Sequence, residues 1–138
     1  MAGIVFRDAT GADLVSGAMN VILPDVRLGG STVHGWVEVV NASSGTHTGV
    51  RVFLVLDAAA TYEAAVSDGT ARDYRYVYAT ASPPASGWAA PTTYAAGLAL
   101  PDLAAGQKVQ ICVRCNPTTG TVAYPARPAL ICQSTGPV

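Results

Sequence analysis

The sequence predicts an all-β protein, an antiparallel immunoglobulin-like β-sandwich of about seven to eight strands. Three observations favour this fold. Short segments alternate apolar and polar side chains with the period of two that a strand imposes. Gly, Pro, Ser, Thr and Asn interrupt these segments at intervals of roughly 8–12 residues. No stretch of helical length carries an apolar stripe with capping signals. A small barrel or jelly roll is the second architecture compatible with the pattern.

The composition is that of one globular domain covering residues 1–138. Half of the residues are hydrophobic and 12% are charged, against about 25% charged in an average protein, which excludes intrinsic disorder. The net charge of −1 argues against nucleic acid as a partner, and no apolar run is long enough to predict a membrane span. Residues 1–15 lack a basic segment followed by an apolar stretch, so we expect no secretory export and folding in the cytoplasm.

The first half of the chain carries the clearest strand patterns. Residues 49–57 are apolar on both faces, which predicts a central strand covered on both sides. The small-residue segment 43–48, which separates that strand from the preceding one, predicts a hairpin loop. Trp36 belongs to a regularly alternating strand and is expected in the core between the sheets. The predicted strands are residues 3–8, 18–23, 33–41 and 49–57.

The second half predicts further strands, separated by turns and by one long loop. Residues 62–66 are compatible with a weak strand or a short helix, and turn residues follow at 67–69. Residues 81–93 contain three prolines and Trp88, which predicts an irregular loop with Trp88 at one end of the sandwich. The remaining predictions are strands at 72–80, 107–115 and 128–133, turns at 101–106 and 116–121, and a loose tail at 134–138.

The three cysteines do not predict a metal or redox site. Cys112 and Cys115 form a C-x-x-C, but within a strand their side chains would point to opposite faces, whereas zinc needs four converging ligands. A disulfide between Cys112 and Cys132 on neighbouring strands is an alternative, although the missing export signal favours reduced thiols. We therefore expect no metal and no cofactor.

The histidines and carboxylates do not predict an enzyme. Neither His34 nor His47 lies near a Ser or Cys in a nucleophile-elbow sequence, and G-x-S-x-G does not occur. The nine carboxylates include no D-x-D calcium cluster. We therefore expect no catalytic residues. The tripeptide that begins at Asn41 matches a glycosylation sequon, a pattern that is common by chance.

Aromatic and arginine side chains form the candidate interface. In the predicted strand 72–80, three tyrosines share one face and arginines flank them. Tyrosine and arginine are enriched in protein interfaces. Stacked tyrosines also bind sugars, and the same stripe could instead pack at the edge of the core. The candidate residues are Tyr74, Tyr76, Tyr78, Arg72, Arg75, Trp88 and Tyr94.

Two stretches, residues 32–56 and 83–132, resemble a known family. The first contains a V-x-N that ends at Asn41 before a small-residue loop. The second contains the L-x-x-L-x-x-G-Q turn from Leu100 to Gln107 and a strand with Val-Arg ending at Arg114. These features are similar to those of small immunoglobulin-like β-sandwich proteins encoded among the tail and virion structural genes of tailed bacteriophages.

The resemblance implies a non-enzymatic structural component of a phage particle, in the tail, the baseplate or the capsid decoration. Its partners would be other virion proteins and copies of itself in a symmetric assembly, joined after folding in the host cytoplasm. Low charge agrees with this role because unpaired charges are costly to bury in contacts. The alternative is a carbohydrate-binding or host-surface adhesion module, which would bind a host-surface glycan through Trp88, Tyr94 and the three tyrosines.

Overall fold

The chain folds into antiparallel β-sheets. A computed structural model describes residues 3–7, 13–14, 33–55, 61–73, 83–91, 93–116 and 129–137, and these residues form strands and turns but no helix. The prediction of an all-β protein is confirmed. The strands are β1 (Ile4–Arg7), β2 (Asp13–Leu14), β3 (Val33–Asn41), β4 (His47–Thr48), β5 (Arg51–Val55), β6 (Thr61–Val66), β7 (Arg72–Asp73), β8 (Leu98–Ala99), β9 (Gln107–Asn116), β10 (Ala129–Gln133) and β11 (Gly136–Pro137).

The larger sheet has the strand order β2-β1-β3-β9-β6, and β7 also pairs with β9. Its centre is the long pair β3–β9, in which Val37 lies opposite Ile111 and Val39 opposite Val109. Branched apolar residues at every second position favour this pairing because they pack well on a pleated surface. The predicted strands 33–41 and 107–115 are confirmed, and β6 shows that residues 62–66 belong to a strand rather than to a helix.

Two smaller sheets have the orders β10-β5-β8 and β11-β4. β5 is the central strand of its sheet, as the pattern of residues 49–57 predicts. Phe53, on the face of β5 opposite the core side chains, is only 9% exposed. β4 and β11 extend the β5–β10 ladder, since Gln133 pairs with Arg51 and Gly136 pairs with Thr48 in the same register.

One hydrophobic core is shared by the larger sheet and the β10-β5-β8 sheet. Ile4 and Phe6 of β1 are buried in it while Val5 and Arg7 are only half-buried, as the alternation predicts. Burying a valine or leucine side chain contributes about 1.5–3 kcal/mol. The core consists of Ile4, Phe6, Val37, Val39, Val50, Val52, Leu54, Ala64, Leu100, Leu103, Val109, Ile111, Val113 and Leu130.

Trp36 is not part of this core, which corrects the prediction. It lies on the opposite face of β3, with Cys112 of β9 as its register partner. The period of two explains the difference, because the pattern that places Val37 and Val39 in the core places Trp36 on the other face.

Residues 43–48 do not form the predicted hairpin, because the strands on either side, β3 and β5, belong to different sheets. The buried side chain of Asn41 stabilises this connection between the two sheets. Its Nδ2 donates to the carbonyl oxygens of Gly45 and Leu103, at 2.7 Å each. Its Oδ1 accepts from the backbone N–H of Ser43 at 2.9 Å and from the Ser43 hydroxyl at 2.6 Å. An amide that is fully bonded inside the protein also explains why the sequon at Asn41 is inaccessible in the folded chain.

The C-terminal tail is not loose, as it was predicted to be. Gly136 and Pro137 pair with β4, and the backbone N–H of Thr135 donates to the carbonyl oxygen of Thr48 at 3.1 Å. The strand continues past Gln133 with polar residues, so no apolar alternation marks it in the sequence. The predictions for residues 18–23, 74–80 and 117–121 lie outside the described residues.

Candidate functional site

Trp88 is the centre of a polar cluster on the outer face of the larger sheet, the face turned away from the core. The guanidinium Cζ of Arg114 lies 4.1 Å from the indole ring centroid. The ring of His34 lies 5.9 Å from the indole, centroid to centroid, with the planes tilted by 56°. Arg114 also donates to Glu63 Oε1, from Nε at 3.0 Å and from Nη2 at 2.9 Å. We call these four residues the Trp88 cluster.

Strand register places three members of the cluster in one row. His34 of β3 pairs with Arg114 of β9, which in turn pairs with Glu63 of β6. Directly opposed residues project from the same face of a sheet, so these side chains are neighbours. Trp88 joins them because the next residue, Ala89, forms a backbone bridge to β6 at the edge of the sheet.

A tight turn presents Trp88 to the sheet. Its indole N–H donates to the carbonyl oxygen of Pro84 at 3.0 Å. Gly87 within this turn has a φ of +85°, in the left-handed region that glycine adopts readily. Trp88 therefore has its single polar hydrogen bonded within the loop and Arg114 over its ring.

Tyr94 has an equivalent arrangement against the β10-β5-β8 sheet. Its hydroxyl donates to the carbonyl oxygen of Gly49 at 2.6 Å, and the Cζ of Arg51 lies 5.1 Å from its ring centroid. Arg51 Nη1 also donates to the carbonyl oxygens of Tyr94 and Ala95, at 3.2 and 2.9 Å. Tyr94, like Trp88, combines an arginine over its ring with a hydrogen bond to a backbone carbonyl.

The chain between these aromatic residues connects the two sheets. Ala89 and Ala64 of β6 exchange backbone hydrogen bonds of 2.8 and 3.0 Å. Two residues later, the carbonyl oxygen of Pro91 accepts from the N–H of Leu54 in β5 at 2.7 Å. The described part of the predicted loop 81–93 is therefore irregular but anchored, with Trp88 fixing it to one sheet.

Three of the seven predicted interface residues, Trp88, Tyr94 and Arg72, lie in the described part of the chain. Trp88 and Tyr94 pack against arginines of different sheets. Arg72 is exposed in β7, and its Nε donates to Asp68 Oδ2 at 2.7 Å. The other four candidates, Tyr74, Arg75, Tyr76 and Tyr78, lie outside the described residues.

An ion pair is buried on the same outer face. Lys108 Nζ lies 2.8 Å from Glu38 Oε2, and the two side chains are 5% and 13% exposed. Gln110 and Cys112, further along β9, are also buried. Lysine and glutamine are seldom buried without partners. Sequence reasoning missed this arrangement because Lys, Gln and Arg at alternate positions are typical of a solvated face.

Cys112 and Cys132 are free thiols in different sheets, β9 and β10, so the alternative of a disulfide between neighbouring strands is corrected. Burial raises the pKa of Cys112 to about 11 and the pKa of Cys132 to about 12. Thiols that stay protonated near neutral pH are poor nucleophiles. The described residues include no group of three or more His, Cys, Asp or Glu side chains that could hold a metal ion.

The fold also brings together a histidine and a serine that the sequence separates by 87 positions. His47 Nδ1 lies 2.8 Å from Ser134 Oγ. His47 is 2% exposed, and its Nε2 has no hydrogen-bond partner among the described residues. A nucleophilic serine needs a base that a third group orients, and no described residue supplies such a group at Nε2. The bond instead ties the C-terminal segment to β4.

A cavity of about 420 Å³ opens where β1 and β3 meet the turn before β9. Arg7, Asn41, Ser43 and Gly106 contribute to its lining. The Asn41 amide already bonds to Gly45, Leu103 and Ser43, which leaves it little capacity to bind a ligand. Among the residues that the structure describes, the cavity lining includes no histidine, cysteine or carboxylate.

Comparison of the chain with protein-family models, with curated proteins and with solved structures finds no match. Among the residues that the structure describes, none forms a helix of the length and hydrophobicity needed to span a membrane. The function is therefore inferred from the sequence and from the geometry given above.

Proposed function

We propose that this protein is a non-enzymatic structural component of a bacteriophage particle, in the tail, the baseplate or the capsid decoration. It would act through contacts with other virion proteins and with copies of itself in a symmetric assembly. The fold we propose is an immunoglobulin-like β-sandwich, and the core shared by two antiparallel sheets supports it. The resemblance of residues 32–56 and 83–132 to virion proteins supports the phage setting.

The partners that cationic side chains have within the chain are the observation that carries the contact role. A surface whose charges are already paired costs less to desolvate in a protein contact. Such a contact is repeated at every symmetry-related position of an assembly. Every described lysine and arginine has a partner within the chain. The ion pairs are Arg114 with Glu63, Lys108 with Glu38 and Arg72 with Asp68. Arg51 donates to two backbone carbonyl oxygens, and Arg7 also has a partner.

Carbohydrate binding has less support from the described residues. An aromatic side chain that stacks on a sugar needs an open ring face and benefits from a polar atom available to the ligand. Arg114 covers one face of the Trp88 ring and Arg51 covers one face of the Tyr94 ring. The indole N–H and the phenol hydroxyl both bond to backbone carbonyls. This arrangement favours an anchoring role for both residues.

Mass spectrometry of purified phage particles tests the proposal. Particles from a phage that encodes this chain are separated on a density gradient, and peptides are quantified in every fraction. We expect this chain to keep a constant ratio to the major structural proteins across the particle peak. A replication enzyme from the same lysate serves as the contamination control. A chain that is absent from the peak, or present only at the level of that enzyme, rejects the proposal.

A glycan array distinguishes the proposed structural role from the alternative, a carbohydrate-binding adhesion module. We expect no glycan-specific signal from the purified chain. Specific binding that is lost in Trp88→Ala but kept in the surface variant Asp102→Asn would favour the adhesion module instead.

A further inference from the structure

Residues 129–137 behave as one C-terminal strand. β10 and β11 follow β5 and β4 in a single antiparallel register, with Leu130 opposite Leu54, Gln133 opposite Arg51 and Gly136 opposite Thr48. Only Ser134 and Thr135 interrupt the assigned strands. Residues 129–137 are thus added to the sheet as a continuous extended segment along residues 47–55.

His47, Thr48 and Gly49 contact Ser134 and Thr135 of this strand, and we call these three residues the seat. Thr135 donates to the carbonyl oxygen of Thr48 from its backbone N–H at 3.1 Å and from its hydroxyl at 3.0 Å. Gly49 adopts a φ of +59°, and a Cβ at this position would lie 2.8 Å from Thr135 Cγ2. Beside it, His47 Nδ1 contacts the Ser134 hydroxyl at 2.8 Å. The seat therefore recognises a polar Ser-Thr segment by shape and by hydrogen bonds.

The position of this strand makes it exchangeable. Within the described residues, β10 and β11 pair on one side only, with β5 and β4 respectively. β1, near the other end of the chain, pairs with both β2 and β3, so its removal would break two ladders.

The composition of the strand also favours exchange. Residues 129–137 contain no charged side chain, and their one proline, Pro137, is the last of them, so most of the segment lacks the two features that commonly protect edge strands from pairing with other chains. Leu130 is 1% exposed and belongs to the hydrophobic core, so a chain that accepts this strand recovers its core as well as its hydrogen bonds.

We propose that residues 129–137 of one copy pair with residues 47–55 of a second copy when the chain assembles, a proposal that rests on the assembly role given above. Exchange of an identical segment reproduces every contact of the strand and is a low-cost route to linked copies. The twelve residues between Asn116 and Ala129 can span roughly 40 Å at full extension. Pairing within one chain dominates in dilute solution because its effective concentration is about millimolar. Exchange therefore takes place at the high local concentrations of assembly.

Cysteine pairing between differently tagged full-length chains tests the exchange. The Thr48 and Thr135 hydroxyls lie 3.2 Å apart, so cysteines at these two positions can form a disulfide. Thr48→Cys and Thr135→Cys chains with different affinity tags are co-expressed, concentrated, oxidised and examined by non-reducing electrophoresis. The double variant in one chain reports the intrachain bond. Ala85→Cys, at an exposed loop position, replaces Thr48→Cys in the control pair.

We expect a mixed covalent dimer that carries both tags for the Thr48→Cys and Thr135→Cys pair and not for the control pair. If the chain self-associates and the double variant cross-links only within itself, with no mixed dimer from the separate variants, the exchange is overturned while the assembly role stands. If the mixed dimer forms but phage particles lack the chain, the exchange is supported and the proposed function fails.

Discussion

The guanidinium carbon of Arg114 lies over the Trp88 indole, 4.1 Å from the ring centroid. A cation over a tryptophan ring contributes about 0.5–1 kcal/mol at exposed sites and about 2 kcal/mol when desolvated. We expect Trp88→Ala and Arg114→Ala each to lower the free energy of unfolding. The double variant should lose less than the sum of the two, with a coupling of about 1 kcal/mol. Urea denaturation of the four proteins measures this coupling.

Arg51 supplies the control for that experiment because it lies over Tyr94 rather than Trp88. The effects of Trp88→Ala and Arg51→Ala should add within about 0.5 kcal/mol. A coupling for Trp88 with Arg51 as large as that with Arg114 would contradict the assignment of the pair.

Three glycines form a graded series of alanine variants. Gly49 combines a φ of +59° with a 2.8 Å approach to Thr135 Cγ2, whereas Gly87 has a φ of +85° but open space around a Cβ. Gly69 has neither constraint. Gly87→Ala should cost about 1–2 kcal/mol from the left-handed backbone alone, and Gly49→Ala should cost more. Gly69→Ala should be close to neutral.

Thermal denaturation of the three variants checks this order. The melting temperature should fall most for Gly49→Ala, less for Gly87→Ala and least for Gly69→Ala. Equal losses for Gly49→Ala and Gly87→Ala would show that Thr135 does not occupy its seat on Gly49.

We expect the free energy of unfolding to fall more when Glu38 alone is replaced than when both members of its buried ion pair with Lys108 are replaced. Glu38→Leu leaves the Lys108 ammonium, 5% exposed, without this partner, and breaking a buried pair in this way costs about 3–5 kcal/mol. The combined Glu38→Leu and Lys108→Met variant should recover most of that loss because neither charge stays buried. Chemical denaturation gives the three free energies. A double variant less stable than Glu38→Leu would argue that the pair is solvated.

The thiols of Cys112 and Cys132 predict a loss of stability in alkaline solution. Burial raises the pKa of these groups from 9.0 to about 11 and about 12, so the folded chain keeps protons that the unfolded chain has lost. Their contribution to stability is complete below pH 9.0 and declines as the pH rises towards about 11. Replacing both cysteines with alanine should flatten the decline, as measured by urea denaturation at fixed pH. An unchanged slope would show that other groups cause it.

Local patterning was sufficient to predict most of the described long strands. The alternation in residues 33–41 and 107–115 places Val37 and Ile111 on core faces, and the structure pairs them directly. The expectation that Trp36 lies in the core because its strand alternates regularly was wrong, since the same alternation places it on the face opposite Val37 and Val39. The face on which a side chain lies depends on its position along its own strand, so it can be predicted from the sequence.

Partner choice between distant segments could not be predicted in this way. His34, Arg114 and Glu63 form one row only because β3 and β6 flank β9 in a particular register. The bond between His47 and Ser134 depends on a C-terminal strand that no apolar pattern marks. Buried Lys108 looks like a solvated residue until its pairing with Glu38 is known. Each of these features is set by contacts between residues far apart in the chain.

Electron cryomicroscopy of purified phage particles tests the assembly role most directly. We expect density for an all-β subunit with the sheet orders found here, repeated by the symmetry of the tail, the baseplate or the capsid and in contact with neighbouring subunits. A fully interpreted particle map in which every subunit is assigned to other proteins, with this chain recovered only from the soluble lysate, would contradict the account.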